Sequence, residues 1–206
     1  MKIITISREF GSGGRELGKR LADCLGWDYY DREIIDTISR EKGFAPDYVQ
    51  AALEGRAWKT VPITFSRSFS ASAVPDTALL VKEKEVIDRI AQAGRDCVIV
   101  GRNADFYLRA QNPFRIFVCA QTEAKLRRCR ERAPEGETLS DREILRQIRR
   151  IDRGRASVRE LVGGERWGDR TGYHLTVNTS DWDLRDLAPA VAAFAGQFFE
   201  RRSSDR

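Results

Sequence analysis

One histidine, His174, and four cysteines, Cys24, Cys97, Cys119 and Cys129, are all the soft metal ligands in this 206-residue sequence, and no two cysteines stand at C-x-x-C spacing. That scarcity argues against a zinc module and against a small fold stapled by disulfides. It suits reduced thiols in a cytoplasmic setting, with Cys24, Cys97 and Cys119, which sit in apolar segments, expected as small core residues. No apolar run approaches the length that spans a bilayer. Met1-Lys2 leads straight into a short apolar stretch, so no signal peptide is expected. The sequence also has no internal repeat, no helix-turn-helix pattern and no basic-aromatic interleaving of the kind found on RNA-binding sheets. The formal charge of +5 and pI near 9.2 therefore point to an anionic partner, with a nucleotide expected and nucleic acid not.

What is present is a chain with 41% apolar and 33% charged residues, long enough to bury a real core as one domain over 1–206. Strand-like and helix-like segments alternate along nearly its whole length, which predicts an α/β fold, a parallel sheet flanked by helices. The chain is organised around its start. Ile3-Ile4-Thr5-Ile6 is a β-branched apolar run that breaks into Gly11-Ser12-Gly13-Gly14, after which Leu17, Leu21, Cys24 and Leu25 recur at helical spacing. Strand, glycine loop and helix in that order form a cradle for phosphate: glycines let backbone N–H groups turn inward, and the helix adds its positive end. A plain tight turn is the competing reading.

Further along, Gly26-Trp27-Asp28-Tyr29-Tyr30-Asp31 reads as a short strand, and Asp31 stands where it can cap the following helix or face a ligand cleft. A short helix is expected at Pro46 to Leu53, then a Ser-rich loop dotted with Phe65 and Phe69 and carrying Lys59 and Arg67. Thr77 to Ala93 reads as a helix stopped by Gly94. Cys97-Val98-Ile99-Val100-Gly101 is a continuous apolar run typical of a central parallel strand. Arg102 follows it directly, at the edge where open α/β sheets bind ligands; capping a helix or pairing with Asp105 is the alternative. After a strand at Phe114 to Cys119 comes a basic helix, Thr122 to Arg132, whose charges are expected to face water. Ser140 to Glu143 is a capping box opening a helix on and beyond which lie Arg149, Arg150, Asp152, Arg153 and Arg155. His174 reads as a strand-edge residue in the last strand, and the final helix carries Leu184, Leu187, Val191, Phe194 and Phe198 before an end expected to fray from Arg201.

Three segments carry a family resemblance: the glycine loop with its flanks, Val98-Ile99-Val100-Gly101-Arg102-Asn103, and Asp152-Arg153-Gly154-Arg155-Ala156. In this order they resemble the cytidylate kinase-like proteins of the P-loop nucleoside monophosphate kinase superfamily. The resemblance implies a P-loop sheet with a substrate-side insertion near 44–75 and an arginine-rich lid near 140–170. It implies ATP and Mg²⁺ as cofactors and a small phosphorylated acceptor, CMP or dCMP first. ATP would lie on Arg8, Gly11, Ser12, Gly13, Gly14, Arg15 and Glu16, with Asp31 and Arg102 on the acceptor side. Arg15, Asp152, Arg153 and Arg155 would carry catalysis. The family's upstream lid arginine aligns with Ile148, which makes the adjacent Arg149 a substrate-side candidate.

The loop departs from the family pattern at three places. Without gaps, the first P-loop glycine is Arg8, the phosphate-binding lysine is Gly14, and the Ser/Thr pair is Arg15-Glu16. Either Arg8 or Arg15 is expected to restore the cation, and Glu16 to meet Mg²⁺ directly or through water. The alternative is a P-loop protein that binds or senses a nucleotide with little or no transfer activity.

Overall fold

The computed structural model describes residues 1–53, 76–133, 139–163 and 166–204. Its centre is β1 (Ile3–Arg8), six residues all buried. A strand covered on both faces must sit inside a sheet between two helical layers, and β1 does. It pairs in parallel with β3 (Cys97–Val100) on one side and β4 (Phe114–Cys119) on the other. Adding β2 (Asp28–Tyr30) and β5 (Leu175–Asn178) gives the order β2-β3-β1-β4-β5, all parallel.

Side chains alternate across the strands and make two cores. Ile4, Ile6, Val98, Val100, Ile116 and Val118 pack with Leu17 and Leu21 of α1 (Gly14–Leu25) and Leu187 and Val191 of α8 (Leu184–Ser204). On the other face Ile3, Cys97 and Ile99 meet Ile34, Ile35 and Ile38 of α2 (Arg32–Lys42), Val49 of α3 (Pro46–Leu53) and Leu79 and Ile87 of α4 (Thr77–Gln92). Val158 of α7 (Asp141–Gly163) joins this second core, while α5 (Ala104–Tyr107) and α6 (Thr122–Glu131) flank β3 and β4 in sequence. Because β1 lies between β3 and β4, the glycine loop leaves the sheet at its middle, on the carboxyl edge where the strand order reverses.

Several expectations are corrected. Cys24 is exposed and Cys119 only half-buried; in the last turn of α1 the inward place goes to Leu25, and only Cys97 is a fully buried thiol. Phe194 is 48% exposed, so the inner stripe of α8 runs through Ala195 and Phe199 instead. The helix after Ser140 continues unbroken for 23 residues, which puts every candidate lid residue on one rigid rod. The last helix is still ordered at Arg201 and ends at Ser204. Lys59, Arg67, Phe65 and Phe69 lie outside the described residues. Among the described residues no helix is long and apolar enough to cross a membrane.

Candidate functional site

The loop between β1 and α1 is fixed by contacts from both sides. Gly11 and Gly13 take φ of +76° and +81°, left-handed angles that glycine adopts without strain. The Glu9 carboxylate accepts the Ala120 N–H and pairs with Lys125 at 2.5 Å. The Ser12 hydroxyl donates to the Glu9 carbonyl at 2.8 Å. Behind the loop, the Ser12 carbonyl accepts from the Thr179 hydroxyl at 2.6 Å and from Arg128 Nη1 at 3.4 Å, and Arg128 Nη2 donates to the Thr179 carbonyl at 2.6 Å. The Glu9 and Ser12 carbonyls are thus engaged within the protein, while α1 begins at Gly14 with the unpaired N–H groups that head any helix. This is the polarity an anion requires.

Arg8, at the end of β1, is buried, and its course is set by two glycines. A Cβ on Gly14 would lie 2.6 Å from Arg8 Cβ, and one on Gly101 would lie 1.6 Å from Arg8 Nη1. Its guanidinium lies 3.7 Å from Asp31 Oδ1, while Arg15 Nε reaches Asp31 Oδ2 at 2.5 Å. Asp31 precedes α2 but makes no side-chain cap; the Glu33 carboxylate takes up the Asp31 N–H at 3.0 Å instead. So Asp31 is not the helix cap that sequence allowed. It is a buried anion set between two loop arginines.

Arg102 follows β3 as expected, yet its side chain turns inward. Gly101, Arg102 and Asn103 have φ of +73°, +59° and +49°, a left-handed run costing about 1 kcal/mol or more at each non-glycine position. The Arg102 guanidinium reaches Gln50 Oε1 at 3.4 Å and lies in the field of buried Glu83. Burial pushes Glu83 up to about 8, against the opposing pull of Arg102 and a hydrogen bond from Asn103. A cavity of about 30 Å³ separates these side chains, with Arg8 and Arg155 on its wall.

On α7 the candidates divide. Asp152 Oδ1 accepts the Phe10 N–H at 2.7 Å, and Arg155 Nη1 donates to the Arg8 carbonyl at 3.0 Å. Burial raises Asp152 to about 6, opposed by the Phe10 N–H and by Arg155. Arg149 and Arg153 are exposed.

Beside the glycine loop opens a cleft of about 720 Å³, large enough for a nucleotide and a second small molecule; Asp31, Arg102, Arg149, Asp152 and Arg153 are not among its lining residues. Among the described residues its lining includes Gly11, Gly13 and Gly14, the arginines Arg8, Arg15, Arg32, Arg128, Arg130, Arg132 and Arg155, and the acidic Glu9 and Asp47. Glu16 is paired with Arg20 and Arg132. Among the described residues no group of three or more His, Cys, Asp or Glu could hold a metal ion.

Sequence reasoning missed Glu83, Arg128 and Thr179. Arg128, expected to face water, is buried; its spacing of four from Ala124 puts both on the inner face of α6, the one signal that marked it. Burial among Arg127 and Arg132 lowers its pKa. His174 is a strand-edge residue as expected: Nδ1 accepts the Arg115 N–H at 3.0 Å and its ring stacks on Phe114.

Solved structures share this architecture. An uncharacterized protein from Eubacterium ventriosum superposes with a TM-score of 0.69 at 21% identity, covering 95% of this chain and 99% of that one. A shikimate kinase from Bacteroides thetaiotaomicron gives 0.57 at 16% identity over 97% and 98%. A gluconokinase from Sinorhizobium meliloti gives 0.50 at 16% identity over 97% of each chain. No curated protein matches. At these identities the likeness is one of fold, that of the P-loop kinases. The model of the cytidylate kinase-like family matches residues 3–181, and the chain belongs to that family.

Proposed function

We propose that this protein is an ATP-dependent phosphotransferase that moves the γ-phosphoryl group to a nucleoside monophosphate, CMP or dCMP first, or to a related small acceptor. The observation that carries this reading is the glycine loop at the middle of the sheet, opening into a cleft lined by seven arginines. The triphosphate lies along Gly11, Ser12, Gly13 and Gly14 at the head of α1, with Arg15 at its edge. The acceptor occupies the side of Arg32, Ile35 and Gln50, near Asp31 and Arg102. Its phosphate oxygen attacks the γ-phosphorus, the bond to the β–γ bridging oxygen breaks, and ADP leaves. Little covalent work falls to the protein in such a transfer, whose barrier is lowered by positioning and by charge. Arg155 meets the spreading negative charge, Asp152 holds the loop, and Arg149 and Arg153 approach as α7 closes. Mg²⁺ travels with the nucleotide and neutralises its phosphates.

Glycine at the lysine position favours a second reading, a nucleotide sensor without transfer. Titration calorimetry with ATP and with CMP, joined to an ADP-release assay, separates the two. The assay should include shikimate and gluconate as hydroxyl acceptors, since the fold is shared with a shikimate kinase and a gluconokinase. Binding of ATP without release on any acceptor supports the sensor.

A further inference from the structure

We propose that Arg8 is the phosphate-binding cation of the glycine loop, carried on the strand side because glycine at position 14 has vacated the helix side. The proposal rests on the reading of the cleft as a nucleotide site and goes further by assigning its charge.

In the ungapped register the chain has arginine where a P-loop has its first glycine, and glycine where it has its lysine. Each exchange alone looks like a lost function, but in space the two are one exchange. A Cβ on residue 14 would stand 2.6 Å from Arg8 Cβ and 3.0 Å from its Cγ, closer than packed carbon atoms approach. An arginine at 8 and any side chain at 14 therefore exclude one another. Gly101 completes the arrangement: without a side chain there, the guanidinium lies against the end of β3, where a Cβ would fall 1.6 Å from Nη1.

Arg8 shares its carboxylate neighbour with Arg15. Its carboxylate neighbour, Asp31, is held more closely by Arg15, at 2.5 Å against 3.7 Å. One carboxylate thus serves two guanidinium groups. On the other flank burial pushes the Glu83 carboxyl up to about 8, against the opposing pull of Arg102 and Arg8. Arg8 also lines the cleft beside Gly13 and Gly14. A guanidinium gives a phosphate two parallel hydrogen bonds where a lysine gives a point charge, so the exchange alters the geometry of recognition and keeps its sign.

The test is titration of ATP into the parent, Arg8→Met, Arg15→Ala, Gly14→Lys and the double variant Arg8→Gly with Gly14→Lys, with melting temperature recorded for each. Arg8→Met keeps the stem and removes the charge; it should weaken ATP about ten- to a hundredfold. Gly14→Lys alone should melt lower and bind no better than the parent. The double variant restores the conventional arrangement and should recover both melting temperature and affinity. Parental affinity in folded Arg8→Met overturns the assignment, as does a folded double variant that binds no better than Arg8→Met. Loss in Arg15→Ala with none in Arg8→Met would give the cation to Arg15. A parent that binds no ATP overturns the nucleotide reading itself, before any variant is compared.

Discussion

Asp152 Oδ1 accepts the backbone N–H of Phe10 at 2.7 Å across 142 residues of sequence. One turn further along the same helix, Arg155 donates to the carbonyl of Arg8. Helix α7 therefore grips the glycine loop at two backbone atoms two residues apart, and the arginine-rich helix and that loop are mechanically one unit in this state. Any motion of α7 over a bound nucleotide has to release or carry these two hydrogen bonds.

Asp152→Ala should therefore loosen the loop. Leaving the part-buried Phe10 N–H without its acceptor costs about 1–3 kcal/mol, and ATP affinity should fall about tenfold. Asp152→Asn keeps an acceptor oxygen and should stay close to the parent. Titration of both variants checks the pair, and equal affinities in Asp152→Ala and the parent would free the loop from α7.

Glu83 sets a pH dependence. Burial holds its folded pKa at about 8, above the ordinary 4.5 of a glutamate, so between those values the folded chain binds more protons than the unfolded one. Stability should fall as pH rises through this window, by at most roughly 1.4 kcal/mol per pH unit. Glu83→Gln removes that slope. Denaturant melts at pH 5, 6.5 and 8 should show the variant gaining on the parent as pH rises; parallel curves would mean that Glu83 is charged or solvated in the folded state.

The sheet and the cradle were legible in the sequence because their signals are local: β-branched runs such as Ile3 to Ile6 and Cys97 to Val100, and glycines at a strand–helix junction. The partners of the charged residues were not, because charge type says nothing about which way a long side chain turns. Asp31 has the sequence context of a helix cap, yet Arg15 and Arg8 take its carboxylate while the Glu33 carboxylate accepts the Asp31 N–H. Arg102 stands at the expected sheet edge, but three successive left-handed residues swing it towards Gln50 and Glu83. The match between Arg8 and Gly14 needs the distance between two positions six apart across a folded loop, which no periodicity encodes.

Gly13→Val should abolish nucleotide binding. Its φ is +81° and a Cβ would meet Leu184 Cδ1 at 2.8 Å, so the backbone is strained and Leu184 or the loop must shift, at a cost of about 1–3 kcal/mol. A melting curve and an ATP titration on the same preparation separate the two effects. Unchanged affinity in the folded variant would reduce the loop to a turn.

Arg102→Ala should weaken CMP about tenfold or more while changing ATP affinity far less. Equal loss of both ligands, with a lower melting temperature, would make Arg102 a structural residue that balances the buried end of β3.

The most direct measurement is ADP release by the parent protein with ATP, Mg²⁺ and CMP, set beside the same assay with Arg155→Ala. Removing an arginine that meets the charge of a transferring phosphoryl group costs on the order of a thousandfold. The account predicts release that requires the acceptor and falls by about that factor in the folded variant. No acceptor-dependent release from the parent, with CMP, dCMP or any other nucleoside monophosphate, would contradict it.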